Sequence, residues 1–333
     1  MAYMCKDQQL PGQTDQPRNL QAESYPSLLY KYGFLVLMVQ AIYRALYSSA
    51  LNPLVRAVCK NLLGGAVEIP PSGIMRFTTS QGKEIVLDTN QTCHVTKVVY
   101  YHGYQNYEYS EFFLKLVAGA KTFFDVGANI GYYAMLAAKH NGGLQVYAFD
   151  PSPGPFHYLK RNIELNGLAG RVHAYDLALS DSNGQVTFSI AATPKYKYLK
   201  FNSLGGGVHI SDVRDSNLTM KLDVRTQTLD AFVEEHKITS LDLMKMDAEN
   251  AEHLILQGGM ATIARFRPVI ITEVFSAEMA HLIETRIAND NYLLFDLEGN
   301  TPKRIQKLTQ DLGSGISNVL LVPQERVQAL GIA

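Results

Sequence analysis

The stretch Phe123-Phe124-Asp125-Val126-Gly127-Ala128-Asn129-Ile130-Gly131 decides the fold. Its apolar first half predicts a buried strand. The two glycines that follow predict a tight turn into a helix, because glycine lets a backbone bend sharply and approach a ligand closely. A turn of this kind places backbone amides beside a carboxylate. We therefore assign cofactor binding to Asp125, Gly127, Ala128, Asn129 and Gly131.

The chemistry of this turn favours one cofactor over another. A nicotinamide dinucleotide needs a Gly-x-Gly-x-x-Gly turn for its pyrophosphate, but the middle position here is Asn129. S-adenosylmethionine has no phosphate, and its amino-acid end carries both an ammonium and a carboxylate. A turn that offers amides and one carboxylate suits it, so we expect S-adenosylmethionine as the cofactor.

Acidic residues follow the next two strands. Asp150 lies 25 residues beyond Asp125 and is expected to accept both ribose hydroxyls, although an Asp before Pro151 and Ser152 also fits a helix cap. The third strand ends at Asp176 and Leu177, which we assign to the adenine end of the cofactor. Ser180 and Asp181 compete for that role.

From Lys121 onward, strand-like runs alternate with helical ones, which is the pattern of a parallel sheet covered on both faces. The predicted strands are Thr122 to Val126, Val146 to Phe149, Val172 to Leu177, Asp242 to Met246, Val269 to Val274, Tyr292 to Asp296 and Val319 to Val322. The predicted helices are Tyr132 to His140, Pro155 to Asn166, Asp230 to His236, Ala251 to Ala264 and Ala277 to Asn289. This order predicts a doubly wound α/β architecture.

The run from Phe123 to Tyr133 resembles the first motif of FkbM-type methyltransferases. Other segments agree with that family: Phe149-Asp150-Pro151, Leu159 to Asn162 with Leu165-Asn166-Gly167, Ala178 to Asp181, Met244 to Glu249 and Arg267 to Val274. The resemblance implies a Rossmann-like class I methyltransferase sheet over residues 111–325. It also implies methyl transfer to oxygen, frequently a hydroxyl of a sugar, a glycan or another secondary metabolite. The family usually has Gly after its acidic pair, whereas this chain has Asn250.

Carboxylates near the ends of the fourth and fifth strands are the catalytic candidates. Asp247 and Glu249 follow the fourth strand and Glu273 lies near the end of the fifth, so all three are expected to face the ligand crevice. Alternatively, Glu249 and Glu252 only favour a helix N-terminus, and Glu273 pairs with Arg267 or Lys245. Three acidic groups also suit a magnesium or manganese ion, although nothing in the spacing demands a metal.

Two flanking regions are candidates for acceptor selection. The segment Val98 to Tyr109 contains five Tyr, which either stack on a sugar or cap the core, and His102, a candidate general base or a structural residue. The insertion Ala191 to Lys221 contains Gly205-Gly206-Gly207 and is interpreted either as a lid or as a disordered surface loop.

The N-terminal third is expected to be an extension of helices and strands. Residues 1–29 predict a disordered tail, residues 30–63 a mostly apolar helical segment, and residues 74–110 a β cap. Three interpretations of the helical segment compete: packing on the catalytic domain or a homodimer partner, peripheral membrane contact through residues 31–60, and a membrane span over Gly33 to Leu51.

Composition narrows the class of protein. Thirty Lys and Arg against 31 Asp and Glu leave a net charge of −1, which disfavours a nucleic-acid partner and favours a small-molecule or glycan acceptor. The three cysteines lack metal-ligand spacing, which fits a reducing cytoplasm, with membrane-surface association through the helical segment as an addition. The alternative to an enzyme is an inactive binding or scaffold protein that keeps the fold.

Overall fold

The computed structural model describes residues 37–191, 196, 198–201, 204, 219–287, 290–298, 300–311 and 317–332. They fall into two compact units, Met1–Tyr43 and Arg44–Ala333. Within the first unit, residues 37–43 are helical and expose Leu37, Met38, Val39 and Ile42. The tail expected over residues 1–29 lies outside the described residues.

The second unit is built from alternating strands and helices. Its strands are β1 (Gly73–Thr78), β2 (Glu84–Thr89), β3 (Thr122–Val126), β4 (Gln145–Phe149), β5 (Val172–Tyr175), β6 (Ala178–Ser180), β7 (Gly184–Ala191), β8 (Thr219–Thr228), β9 (Leu243–Met246), β10 (Val269–Val274), β11 (Tyr292–Asp296), β12 (Lys303–Ile305) and β13 (Ser317–Pro323). Its helices are α1 (Asn52–Asn61), α2 (His94–His102), α3 (Ser110–Ala118), α4 (Tyr132–His140), α5 (Pro153–Leu165), α6 (Leu229–Glu235), α7 (Glu252–Gln257), α8 (Met260–Phe266), α9 (Ala277–Ile287) and α10 (Leu308–Asp311).

The central sheet has the strand order β12-β11-β13-β10-β9-β3-β4-β5. Strands β3, β4, β5, β9 and β10 run parallel, while β13, β11 and β12 are antiparallel additions at one side. The chain moves outward from β3 through β4 to β5 and then returns to β9 on the other side of β3. This reversal creates the crevice in which ligands bind in such sheets, at the carboxyl ends of β3 and β9.

Helices cover both faces of the sheet, as predicted. Phe123 points into a core formed with α3, α4 and α5, whereas Phe124 and Val126 point into a second core formed with α6, α7, α8 and α9. Side chains alternate along a strand, so β3 is buried on both faces and reads as a continuous apolar run. The predicted doubly wound, Rossmann-like architecture is confirmed.

The β1–β2 hairpin is held against α5 by two asparagines, Asn162 within the helix and Asn166 directly after its last residue. The N–H of Asp88 donates to Asn162 Oδ1 (2.6 Å), and Asn166 Nδ2 donates to the carbonyl oxygen of Val86 (2.6 Å). Asn162 Nδ2 also donates to the carbonyl oxygen of Ile130 in the glycine turn (2.8 Å). Because the residues are four apart, they lie on one face of α5 and satisfy the edge of β2.

Two predicted helices differ from the observed ones. The helix expected over Ala251 to Ala264 is divided into α7 and α8 at Gly258, where a Cβ would lie 2.1 Å from the carbonyl oxygen of Ser180. The segment expected as one helix over residues 30–63 contains a break before α1, which begins beside Pro53, and Ser48 Oγ there accepts the N–H of Leu51 (3.2 Å).

Among the described residues, no helix has the length and apolar character needed to cross a membrane.

A further difference lies outside the central sheet. Strands β6, β7 and β8 form a separate three-stranded sheet, and the two long strands β7 and β8 pair antiparallel on either side of the insertion. These strands were not predicted, although the alternation of Met220, Leu222 and Val224 with polar residues in β8 is typical of a half-buried strand.

Candidate active site

The glycine turn follows β3 and lies against the backbone at the end of β9, at the crevice. Gly127 has φ +69°, and a Cβ there would lie 1.7 Å from the carbonyl oxygen of Asp247. The N–H of Asp247 in turn donates to the carbonyl oxygen of Val126 (3.1 Å). Gly127 is therefore required by close contact with the β9 backbone as well as by its own left-handed conformation.

The turn offers fewer free amides than expected. The N–H of Ala128 donates to Phe149 O (2.9 Å), that of Asn129 to Asp150 Oδ2 (2.8 Å), that of Ile130 to Asn129 Oδ1 (2.7 Å) and that of Gly131 to Ala128 O (2.8 Å). These bonds hold the turn in one shape, with Asn129 at φ 53° and Gly131 at φ +86°. The turn is a preformed support rather than a row of unpaired donors.

Asp150 follows β4 and is buried beside the turn. Its Oδ2 accepts the N–H of Asn129, and its Oδ1 accepts the N–H of Ser152 before α5 (2.9 Å). The helix-capping interaction therefore exists, and it coexists with the contact to the turn. Burial raises the pKa of Asp150 to about 7, although both backbone donors lower it. Each carboxylate oxygen keeps a second lone pair for a ligand hydroxyl.

Asp125 is the most deeply buried carboxyl group of the crevice, with 1% of the residue exposed. Neither carboxylate oxygen has a hydrogen-bond partner of ordinary geometry among the described residues, and Lys245 Nζ lies 3.9 Å from Oδ1. Burial raises the pKa of Asp125 to about 6, against the attraction of Lys245. Such an orphaned buried carboxyl group is a polar group in need of a partner.

Lys245 lies at the centre of the acidic residues. It is buried on β9, its Nζ lies 3.3 Å from Asp247 Oδ2, and the same ammonium lies over the ring of Tyr133 at 5.5 Å. Burial by itself lowers the pKa of Lys245, but the carboxyl groups of Asp247, Asp125, Glu108 and Glu273 outweigh burial and raise it above its ordinary value. The ammonium is therefore charged at neutral pH.

Glu273 and Glu108 complete the acidic group. Burial and then the charge of Asp247 raise the pKa of Glu273 well above its ordinary value. Burial also raises the pKa of Glu108, which accepts a hydrogen bond from the hydroxyl of Tyr133 (2.8 Å). One ammonium cannot neutralise all of these carboxylates, so the group retains protons at neutral pH.

The structure distinguishes between the two partners considered for Glu273. Arg267 pairs with Glu325 (2.5 Å), away from the acidic group, whereas Lys245 lies inside it. Within the described residues, no group of three His, Cys, Asp or Glu side chains has an arrangement that would hold a metal ion. The cation that the acidic residues surround is the ammonium of Lys245.

The segment after Asp247 explains the departure from the family pattern. Glu249 has φ 51° and Asn250 has φ 77°, so both adopt the left-handed conformation. Glycine adopts it most readily, and asparagine tolerates it better than most other residues. Asn250 therefore fits the backbone that a glycine would take. Glu249 is exposed, unlike Asp247, which lies against Lys245.

Glu252 is buried at the start of α7, and its Oε1 accepts the N–H of Ala248 (2.7 Å). Burial raises its pKa from 4.5 to about 7. Because the folded pKa of this acid is raised, its ionisation opposes folding: stability is greatest below pH 4.5 and falls as the pH rises through 7. Gln cannot ionise, so as the pH rises from 4.5 through 7 the unmutated protein should lose about 3 kcal/mol of unfolding free energy relative to Glu252→Gln. Denaturant unfolding of both proteins at each pH measures this difference.

The matched control is Glu278→Gln, because Glu278 is also in the first turn of a helix but is exposed. Its stability difference from the unmutated protein should stay constant with pH. A constant difference for Glu252→Gln as well would contradict the expectation.

The residues assigned to the adenine end lie after β5. Asp176 is exposed, whereas Leu177 is buried in the core with Phe149 and Phe232. Leu177 also borders a cavity of about 520 Å³ that Tyr175 and Phe232 line. The adenine assignment stays a prediction, and a Leu in this position contributes an apolar surface only.

The structure does not bring His102 into the acidic group. Its Nε2 lies 2.7 Å from Glu68, which also pairs with Lys97 (2.9 Å), and the side chain is largely exposed. Of the five neighbouring tyrosines, Tyr104 and Tyr109 are buried in the core, which is the cap interpretation. Tyr107 is different, because it contacts Glu108 and is close enough to Asp247 for that charge to raise its pKa, although burial is the larger cause.

The described residues of the insertion lie against the glycine turn. Asn129 Nδ2 donates to the carbonyl oxygen of Leu204 (2.8 Å), and the N–H of Leu204 donates to Thr92 Oγ1 (3.1 Å). Phe201 and Leu204 also pack on Gly154 at the start of α5. These contacts favour the lid interpretation, which stays a prediction. The three glycines from Gly205 to Gly207 lie outside the described residues.

Sequence reasoning missed the central role of Lys245 and the presence of Glu108. The available signal for Lys245 was a lysine inside the otherwise apolar strand Leu243–Met246, since a buried lysine in a strand requires charged partners. Glu108 gave no such signal, because it is remote in sequence and reaches the site only through its left-handed backbone, at φ 44°.

The fold and the site together define a class of protein. A mainly parallel sheet with a glycine turn after its first strand and an acidic residue after its second is the architecture of a Rossmann-like class I methyltransferase, which uses S-adenosylmethionine.

Comparisons with known proteins agree with this class. The model of the methyltransferase FkbM domain matches residues 125–294, and with about half of the chain matched, this protein belongs to the FkbM methyltransferase family. The 31-O-demethyl-FK506 methyltransferase FkbM of Streptomyces tacrolimicus is 32% identical over 153 residues, which are 40% of this chain and 58% of that relative. The 2-O-methyltransferase NoeI of Sinorhizobium fredii is 26% identical over 55% of this chain and 75% of its own length.

Solved structures include the methyltransferase FkbM of Methylobacillus flagellatus, which is 12% identical and matches 68% of this chain and 54% of that chain with a TM-score of 0.41.

Proposed function

We propose that this protein transfers a methyl group from S-adenosylmethionine to a hydroxyl oxygen of a small molecule or glycan, with Asp247 as the general base. The observation that supports the proposal is the group of carboxyls around Lys245, beside the glycine turn at the switch point of the sheet. Such a site can accept a proton from an acceptor hydroxyl while it holds the acceptor in position.

The residues present fit S-adenosylmethionine. Asp150 has unused lone pairs for the ribose hydroxyls, and Asp125 is an orphaned buried carboxyl group on the side where the ammonium of the cofactor would lie. When bound, S-adenosylmethionine supplies an activated methyl group on a sulfonium. The protein has then to orient the acceptor, exclude water and take up one proton.

Exposure favours Asp247 as the base among the clustered carboxyls. Its side chain is 39% exposed, whereas Asp125 is buried and burial raises the pKa of Glu273 well above its ordinary value. Lys245 Nζ lies 3.3 Å from Asp247 Oδ2 and holds this carboxylate in place. The acceptor hydroxyl would thus lose its proton to Asp247 as the new carbon–oxygen bond forms. Besides burial, which is the larger cause, the charge of Asp247 raises the pKa of both Tyr107 and Glu108, so we include these two residues among the candidates for acceptor contact.

Two relatives support oxygen as the acceptor atom, since their names specify O-methyl transfer at position 31 of FK506 and at a 2-hydroxyl. The test is transfer of a radiolabelled methyl group from S-adenosylmethionine to extracts of the source cells and to matched hydroxyl and amine compounds. Labelled methyl ethers support the proposal. Labelled amines alone would contradict it.

Asn250, which stands where the family usually has Gly, gives little reason to prefer an inactive scaffold. Its backbone is left-handed, and asparagine tolerates that conformation. Binding of S-adenosylmethionine without transfer to any acceptor in the extracts would favour that alternative.

Asp150→Ala is expected to weaken S-adenosylmethionine binding by about 1.5–3 kcal/mol, because a charged acceptor of the ribose hydroxyls is removed. Adenosine should lose the same amount in calorimetry. The variant is also expected to be less stable, since the N–H groups of Asn129 and Ser152 lose their acceptor. Unchanged affinity at a temperature where the variant is folded would limit Asp150 to the structural role.

A further inference from the structure

Helix α1 has its polar side chains inside and its apolar side chains outside. Asn52 and Arg56 are buried one turn apart, and they are satisfied by the main chain. Asn52 Oδ1 accepts the N–H of Ser72 (2.7 Å), and Arg56 donates to the carbonyl oxygen of Ile74 (2.7 Å). Asn52 Nδ2 also donates to Pro70 O (3.1 Å). These bonds fix the rotation of the helix.

The opposite face of α1 is apolar and unburied. Leu54, Val58 and Leu62 recur every four residues and are 63%, 40% and 77% exposed. We call this face and its exposed apolar neighbours the α1 apolar surface, which comprises Leu51, Leu54, Val58, Leu62, Leu63 and Val67. Elsewhere among the described residues of the second unit, the large apolar side chains that are exposed are Ile74, Val186 and Met260.

The helix cannot turn this surface inward. A rotation that buried Leu54 and Leu62 would expose Asn52 and Arg56 and would leave the Ser72 N–H and the carbonyl groups of Pro70 and Ile74 without partners. Unpaired buried backbone groups are strongly disfavoured. Exposed apolar surface held in place by a polar network indicates a binding surface.

The charge of the region identifies the partner. Between Glu23 and Glu68 the sequence contains no Asp or Glu, whereas it contains Lys31, Arg44, Arg56 and Lys60. Arg44 is exposed in the second unit, and Lys60 lies on the polar side of α1, where its Nζ donates to the carbonyl oxygen of Tyr100 (2.5 Å). An apolar helix face in a stretch of sequence whose charged residues are all basic complements an anionic lipid headgroup layer over acyl chains. A second copy of the chain would instead bring these like charges together.

We propose that the α1 apolar surface docks the protein on an anionic membrane surface. α1 has 10 residues, so it is too short to cross a bilayer and would lie in the plane of the interface with Leu54, Val58 and Leu62 inserted. The docking is peripheral and reversible, and it does not depend on the identity of the methyl acceptor.

The test is flotation of the full chain with vesicles of phosphatidylcholine alone and with an equimolar mixture of phosphatidylcholine and phosphatidylglycerol. We expect binding to the anionic vesicles, weaker binding to the neutral ones, and release by added salt. Leu54→Glu/Leu62→Glu should lower the affinity for the anionic vesicles at least about tenfold, because two inserted apolar side chains become charged. Val186→Glu and Met260→Glu are matched controls on exposed apolar residues elsewhere, and both should bind normally.

Circular dichroism and the melting temperature show whether the double variant is folded. Failure of the unmutated chain to float, or equal flotation of the folded double variant, would overturn the proposal. If the unmutated chain does not float but is a dimer in analytical ultracentrifugation that the double variant dissociates, the surface binds a second copy instead. If the double variant only lowers the melting temperature and flotation is unchanged, another segment of the chain covers the surface.

Discussion

Replacement of Asp247 by Asn is expected to lower the turnover rate by about a hundredfold to ten-thousandfold while S-adenosylmethionine affinity stays nearly unchanged. The amide preserves size but cannot take up the acceptor proton, and it also removes the negative charge 3.3 Å from the buried Lys245. Turnover with a saturating acceptor and calorimetry with the cofactor measure the two quantities separately.

Glu249→Gln is the matched control, because Glu249 lies two residues away but is exposed in a left-handed turn. Its effect on turnover is expected to be much smaller, so the two carboxylates that the sequence treated alike become distinguishable. If Asp247→Asn turns over almost normally in the presence of an identified acceptor, Asp247 is not the base, and Glu273 and His102 become the next candidates.

The second large effect is expected for Gly127→Ala, which should lower the free energy of unfolding by about 3 kcal/mol or more and remove cofactor binding. The new Cβ would lie 1.7 Å from the carbonyl oxygen of Asp247, and φ +69° is unfavourable for alanine. Neither backbone can move freely, because the N–H of Asp247 is bonded to Val126 O. Denaturant unfolding and calorimetry with S-adenosylmethionine measure the two effects.

Gly119→Ala is the control for this variant. Gly119 ends α3 with φ −102°, and a Cβ there meets nothing within 4 Å, so this substitution should be close to neutral. Normal stability and normal cofactor affinity in Gly127→Ala would show that the turn relaxes away from β9, and the structural argument for Gly127 would then fail.

The sequence was informative about the central sheet because burial on both faces leaves a local signal. Strands β3 and β10 are mostly apolar, with Asp125 and Glu273 as their acidic exceptions, and their predicted bounds, Thr122 to Val126 and Val269 to Val274, match the observed ones. Where burial is one-sided or tertiary contacts decide, the prediction was less complete. Gly258 divides the helix expected over Ala251 to Ala264 because the backbone of Ser180 passes too close for a side chain.

The residues of the candidate site were likewise predicted only in part from the sequence. Asp125, Gly127 and Asp150 stand at recognisable spacings after strands, so sequence could select them and the family could be recognised. Sequence could not select between Asp247 and Glu249, because both follow the same strand. Their different roles in the proposal come from the exposure of Glu249 and the ion pair between Asp247 and Lys245.

The sequence by itself therefore determined the parallel strands of the central sheet, the glycine turn and the methyltransferase family, since each depends on residues close together in the chain. Only the tertiary structure decided that Asp125 and Asp247 lie 3.9 and 3.3 Å from one buried ammonium, whose pKa the charges of Glu108 and Glu273 also raise, and that α1 presents its apolar face to solvent. The physical reason is that charge interactions and burial depend on distance in space. Glu108 and Glu273 are separated by more than half of the catalytic domain in sequence, and the fold brings both beside Lys245.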